Sequence, residues 1–191
     1  MSHRESALVV RICHDLITPF NAINLGIEAF DASGDRLLLN EIKASVDKAN
    51  AVLKFMRELY SIKSDSFCYS LVSLTHLVSA FLKKYNISFV LTSDFDSIPH
   101  IAAKIVMYNS LLAKDIMPLG GDVNVKIDDE VGEIVTVCSG KNLSVPNLNV
   151  EEELNYRNVL RISLLRLLEE AKFKVIAYQN DSKLIIREQM L

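Results

Sequence analysis

Two long amphipathic periodicities, separated by a turn, open this chain and constrain its fold more than any other feature. From Arg4 to Phe30 the apolar residues Ile12, Leu16, Phe20, Ile23, Ile27 and Phe30 recur at steps of three and four, the stripe of an α-helix. Ala32 to Asp35 (ASGD) supplies a turn, and Arg36 to Ile62 repeats the pattern with Leu38, Ile42, Val46, Ala49, Leu53, Met56 and Tyr60. The pair reads as a helical hairpin over residues 1–64. Two helices leave their stripes half covered, so the economical solution is a homodimer forming a four-helix bundle.

After Lys63 to Ser66 the texture changes, and residues 65–191 read as an α/β sandwich. Ser73 caps a predicted helix running to Lys84, and Ile87 to Thr92 (ISFVLT) reads as a strand. Pro99 sits in the first turn of a helix ending near Met117. Strands follow at Asp122 to Ile127 and Glu133 to Cys138. A loop from Lys141 to Asn149 leads to a helix from Glu152 to Lys172, whose acidic start Glu151 to Glu153 suits the helix dipole. Strands Phe173 to Tyr178 and Lys183 to Arg187 flank a turn at Asn180 and Asp181. The expected class is α+β.

Composition excludes several functions. Lys plus Arg number 21 against 24 Asp plus Glu, a net charge of −3 without a basic cluster, which argues against nucleic acid. Cys13, Cys68 and Cys138 stand apart, as free thiols of a reducing compartment do. Lys104, Arg161 and Arg166 interrupt the most apolar stretches, and MSHRESALVV is too short an apolar start for a signal peptide, so a cytoplasmic protein without a membrane span is expected. His3, His76 and His100 have no companions at metal-ligand spacing and read as surface or cap residues. Arg161 and Arg166 read as solvated, or as partners for an acidic rim.

The stretch RICHDLITPF, residues 11–20, stands out. His14 lies roughly 200° around the helix from Ile12 and Leu16 and therefore points away from the apolar stripe. Arg11, Thr18, Asn21, Ala22 and Leu25 are expected on the same outer face. Pro19 removes a helical hydrogen bond and is expected to kink the helix at about 3 kcal/mol, a cost tolerated near working sites. Asp15 brings a carboxylate within reach of the ring, able to hold one ring nitrogen protonated while the other acts as a nucleophile. Cys13 neighbours His14 but points about 100° away, which disfavours a thiol–imidazole pair.

RICHDLITPFNAINLGIE resembles the phosphoacceptor helix of two-component phosphorelay proteins, where an H-(E/D)-L-x-(T/S)-P signature opens a helical hairpin. It is most similar to the ChpT family of alphaproteobacterial histidine phosphotransferases, which reads nearly R-I-C-H-D-L-I-S-P; here Leu25 intervenes between Asn24 and Gly26. NEIKASVDKANAVLKFMREL, residues 40–59, extends the likeness, which continues through Leu119 to Gly121 and the final helix and strands. The resemblance implies an enzyme in which His14 accepts a phosphoryl group from one receiver-domain aspartate and passes it to another. It implies that Asp15 orients the imidazole, that Thr18 lies near the phosphoryl group, and that Arg11 stabilises phosphate charge. Arg11, Asn21, Ala22 and Leu25 would dock the receiver. The implied partners are a CckA-like hybrid kinase and CtrA-like and CpdR-like response regulators of cell-cycle control. Mg²⁺ would come with the receiver, and the chain would hold no metal or cofactor of its own.

A histidine kinase joins such a hairpin to an ATP-binding sandwich, so residues 65–191 decide between kinase and phosphotransferase. Met107 to Lys114 (MYNSLLAK) resembles the Mg²⁺-binding asparagine helix with Asn109 in place, but Ala113 stands where the second asparagine belongs. In Thr136 to Gly140 (TVCSG), Cys138 occupies the place of the adenine-reading aspartate. The six glycines form no G-x-G turn. The expected domain is a degenerate relative that does not bind ATP. The competing reading is a non-catalytic dimeric adaptor, or a phosphate sink, that docks response regulators.

Overall fold

Gly34 and Asp35 set the geometry of the hairpin. Gly34 takes a left-handed φ of 67° and its N–H donates to Phe30 O at 2.7 Å, ending helix α1 (His3–Ser33), while the Asp35 carboxylate accepts from Leu37 N at 2.9 Å and starts helix α2 (Leu37–Tyr60). The two helices meet closely at Gly26, where a Cβ would come within 2.7 Å of Ile42 Cγ1. Pro19 lies inside α1 without ending it. The computed structural model describes residues 3–64, 66–128, 130–144, 155, 158–180 and 182–191, and Arg4 by its backbone only. The predicted acidic helix start at Glu151 to Glu153, the far side of the loop from Lys141, and Asp181 of the last turn lie outside the described residues.

The remaining order is β1 (Cys68–Ser70), α3 (Leu71–Lys83), β2 (Ile87–Ser93), β3 (Ser97–Pro99), α4 (His100–Ile116), β4 (Gly121–Asp128), β5 (Glu133–Gly140), α5 (Val159–Glu170), β6 (Phe173–Asn180) and β7 (Lys183–Met190). Five strands form one mixed sheet in the order β2-β4-β5-β7-β6, with β2 and β4 parallel and the other pairs antiparallel. Alternate residues such as Val123, Val125 and Ile127 on β4 face inward beneath α3, α4 and α5. The α+β class expected from the sequence is therefore present. Gly121 opens the interior strand β4 at a φ of 152°, where a Cβ would fall 2.3 Å from Ser139 O.

Three local expectations need correction. The cap of α3 is Ser70, whose side chain accepts from Ser73 N at 3.2 Å, because the chain arrives as strand β1 and turns there directly. The short ladder of β1 with β3 was not expected, since three-residue strands carry no usable periodicity. His100 opens α4 but is buried, with its ring against Phe67 and Tyr69.

The core does not stop at the hairpin. Val52, Phe55, Met56 and Leu59 at the end of α2 join the same apolar cluster as α3, α4 and the sheet, and Phe55 stacks on Phe81 with centroids 4.1 Å apart. Such an aromatic pair adds about 0.5–1.5 kcal/mol to its burial. Helix α1 also packs against α5, and its side chains reach α4. No described helix is long and apolar enough to cross a membrane.

Candidate functional site

Helix α1 presents three sectors. The first is turned inward: Arg11, Asp15 and Pro19, one turn apart, are buried. The second is open and apolar: Val10, Ile17, Phe20 and Ile27 are exposed, and on α2 the seven-residue spacing of Leu39, Val46 and Leu53 is exposed as well. Phe20 and Ile27, placed in the buried stripe by periodicity, are thus solvent-facing, Phe20 at 49%. The third sector carries His14, Thr18, Asn21, Ala22 and Leu25, all exposed; the His14 side chain is 68% exposed and Leu25 65%.

Arg11 does not share the third sector. It is buried, and its Nη2 donates to both carboxylate oxygens of Asp115 at 2.7 and 3.0 Å. Helical periodicity placed it outward beside His14. The buried sector is turned about a quarter of the circumference from the apolar stripe, because α1 leans on α4 and α5 as well as on α2. Burial works against the guanidinium charge, but Asp115 and then Asp15 outweigh it, and the net effect raises its pKa.

Asp15 is the junction of the site. Its Oδ1 lies 3.6 Å from His14 Nδ1, and its Oδ2 is hydrogen-bonded by Lys114 Nζ, with Arg11 Nε 3.6 Å away. The side chains of Lys114 and Asp15 are only 4% and 7% exposed. Burial pushes the Lys114 pKa down, and the Asp15 charge acts against that shift. A second lysine reaches the same residue: Lys84 Nζ donates to the Asp15 backbone carbonyl at 3.2 Å. Both ammonium groups lie over the Tyr85 ring, at 4.8 and 5.3 Å from its centroid. Burial, and then Asp15, raise the Tyr85 pKa.

Lys84, Lys114 and Asp115 were not among the residues picked out from sequence, because partners some 70 to 100 positions away leave no local periodicity. The only available sign was that Lys114 ends, and Asp115 directly follows, the stretch compared with the asparagine helix.

Around Asn109 the structure holds a sealed polar cluster. Asn109 Nδ2 donates to Thr136 Oγ1 at 2.8 Å and to Glu188 Oε1 at 2.9 Å, and all three residues are fully buried. Burial raises the Glu188 carboxyl to about 8, against the pull of the Asn109 hydrogen bond. Cys138 is buried too, its thiol raised to about 12 by burial and then by Glu188. Asn109, the one asparagine expected to reach Mg²⁺, is thus buried in the core with its NH2 donated to core neighbours, and a buried carboxyl stands beside it. Among the described residues no group of three or more His, Cys, Asp or Glu is arranged to hold a metal ion.

Comparison with known proteins agrees with the motif. Residues 73–164, from within α3 into α5, match the family model of the histidine phosphotransferase C-terminal domain. The protein phosphotransferase ChpT of Brucella abortus (strain 2308) is 26% identical over 180 residues, covering 88% of this chain and 86% of that protein. A solved structure of a bacterial phosphotransferase superposes with a TM-score of 0.85 at 23% identity, covering 99% of this chain and 98% of the other. The Acinetobacter baumannii histidine kinase AdeS superposes with a TM-score of 0.51 at 11% identity, over 93% of this chain and 96% of the other. The resemblance to ChpT-type histidine phosphotransferases thus extends over nearly the whole chain, and the fold is one shared with a histidine kinase.

Proposed function

We propose that this protein is a histidine phosphotransferase that relays phosphoryl groups between receiver-domain aspartates through His14, working as a homodimer without ATP. The observation that carries this reading is the pairing of an exposed imidazole with a buried, tethered carboxylate: the His14 ring is 68% exposed while its Nδ1 lies 3.6 Å from Asp15. With Nδ1 turned to the carboxylate, Nε2 is the nucleophile. Its lone pair attacks the receiver's aspartyl phosphate, an N–P bond forms, and the P–O bond breaks with its electron pair leaving on the aspartate carboxylate. The Nδ1 proton stays on the ring, and the positive charge that develops on the imidazole faces Asp15. Onward transfer to a second receiver reverses these steps.

A phosphotransferase needs little else, since phosphoryl transfer depends mainly on positioning and charge neutralisation and the receiver brings its own Mg²⁺. Thr18 follows His14 by one turn, within reach of the phosphoryl oxygens. Asn21, Ala22 and Leu25 continue the exposed face and dock the receiver, whereas Arg11 is committed to Asp115. The open stripe of Val10, Ile17, Phe20 and Ile27 with Leu39, Val46 and Leu53 supports pairing of two hairpins into a four-helix bundle. By their likeness to ChpT, the partners are a hybrid kinase's receiver and its response regulators, in the cytoplasm.

The test is to mix the protein with a phosphorylated receiver domain and look for acid-labile, base-stable label. His14→Ala should abolish the label and leave helicity intact, since the ring faces outward. An unlabelled wild-type protein that still binds the receiver would make it an adaptor; label that the receiver can never recover would make it a sink.

A further inference from the structure

Pro19 creates a need that the fold answers from a distance. An α-helical carbonyl accepts from the N–H four residues on, and the residue four beyond Asp15 is Pro19, which has none. The Asp15 carbonyl therefore lacks its helical donor, and Lys84 Nζ supplies one at 3.2 Å. Lys114 Nζ takes the carboxylate of the same residue at Oδ2, leaving Oδ1 toward His14 Nδ1. The Tyr85 ring lies beneath both ammonium groups, 4.8 Å from Lys84 Nζ and 5.3 Å from Lys114 Nζ. Backbone and side chain of one residue are thus held by two lysines, both from outside the hairpin.

We propose that Lys84, Tyr85 and Lys114 form a cradle that positions Asp15 against His14 for phosphoryl transfer, so that the α/β part of the chain tunes the acceptor histidine without touching phosphate. This rests on the reading of His14 as the phosphoacceptor. Lys84 and Lys114 are positioning residues: they act through Asp15. The lysine charges are drawn down by burial, Lys84 and Lys114 alike, and Asp15 is the first group that sustains both. The arrangement also assigns a use to the proline of the motif. By removing a donor it exposes the one carbonyl through which a remote lysine can hold the residue beside the histidine.

The cradle is tested with Lys84→Met, Lys114→Gln and Lys114→Arg in the full chain. Three measurements apply: the tautomer of the His14 ring by nitrogen NMR, labelling by phosphoramidate, and labelling by a phosphorylated receiver. Phosphoramidate needs no partner; its P–N bond breaks as the His14 N–P bond forms, and ammonia leaves. Loss of either lysine should change the His14 tautomer balance and slow both labelling reactions by about tenfold or more, as loss of an outer partner does at metal-bound histidines. Lys114→Arg keeps the buried charge and should retain most of the rate, which also covers the case in which Lys114→Gln does not fold. Pro19→Ala restores an N–H to the Asp15 carbonyl, so Lys84→Met should cost little in that background. Folded Lys84→Met and Lys114→Gln proteins with an unchanged His14 tautomer and wild-type phosphoramidate labelling would overturn the cradle. A wild-type protein that no phosphorylated receiver labels would overturn the phosphotransfer reading instead, and the ring tautomer separates the two failures because it requires no donor.

Discussion

Asn109 and Glu188, 79 positions apart, meet in the core through a hydrogen bond of 2.9 Å from the amide to the carboxyl. The pair ties helix α4 to strand β7, and it makes stability depend on pH. Burial raises the Glu188 carboxyl from 4.5 to about 8, so the folded state holds this proton more tightly than the unfolded chain does. The resulting stability is fully present below pH 4.5 and is lost as pH rises through about 8. Thermal unfolding followed across that window should show a falling midpoint for the wild type and a flatter profile for Glu188→Gln. Equal slopes for the two proteins would contradict a protonated Glu188.

Nucleotide should not bind. With Asn109 and Cys138 both sealed in the core, Mg²⁺ and ATP together should leave the melting temperature unchanged, and labelled ATP alone should leave the protein unlabelled. Ala113→Asn should not restore binding, because Asn109 itself stays buried. Saturable binding to the wild type would refute this.

The open apolar stripe should be an interface between two copies. Phe20, 49% exposed at the centre of Val10, Ile17 and Ile27, should be among its anchors. Phe20→Asp should convert the dimer to monomer in sedimentation without loss of helix content, since it breaks no contact inside the chain's own core. A wild-type monomer at micromolar concentration would count against the bundle.

Arg11 and Leu25 should separate by assay although the sequence suggests the same face. Arg11→Met should lower stability by about 1–3 kcal/mol, the value of a charged hydrogen-bonded pair, moderated because the Asp115 side chain remains 41% exposed. Leu25→Asp should leave the melting temperature nearly unchanged and weaken receiver-driven labelling, while phosphoramidate labelling stays at the wild-type rate. A receiver-specific defect in Arg11→Met at unchanged stability would reverse the assignment.

Much of the fold was legible because its signals are local. The apolar spacing that predicts a helix over Arg4 to Phe30 is realised as His3–Ser33, and the alternation at Asp122 to Ile127 as Gly121–Asp128. What failed was direction. Periodicity tells which side of a helix is apolar, and for α1 that side was split between core and open surface, so Arg11 was turned outward on paper and inward in space. The exposed histidine was legible from its angle to Ile12 and Leu16. Its supporting lysines were not, because an ion pair closing across 99 positions depends on how α4 crosses α1 and leaves no spacing to read.

That separation has a consequence for how the protein is made. The hairpin is synthesised before the α/β part, so Asp15 meets Lys114 only after 99 more residues are made, roughly 5–20 s later at about 5–20 residues per second. During synthesis the His14 ring therefore exists for seconds beside a carboxylate that Lys114 does not yet hold. If His14 is the phosphoacceptor proposed above, the nascent hairpin carries it without the geometry that positions Asp15, and competence arrives late, with the rest of the chain.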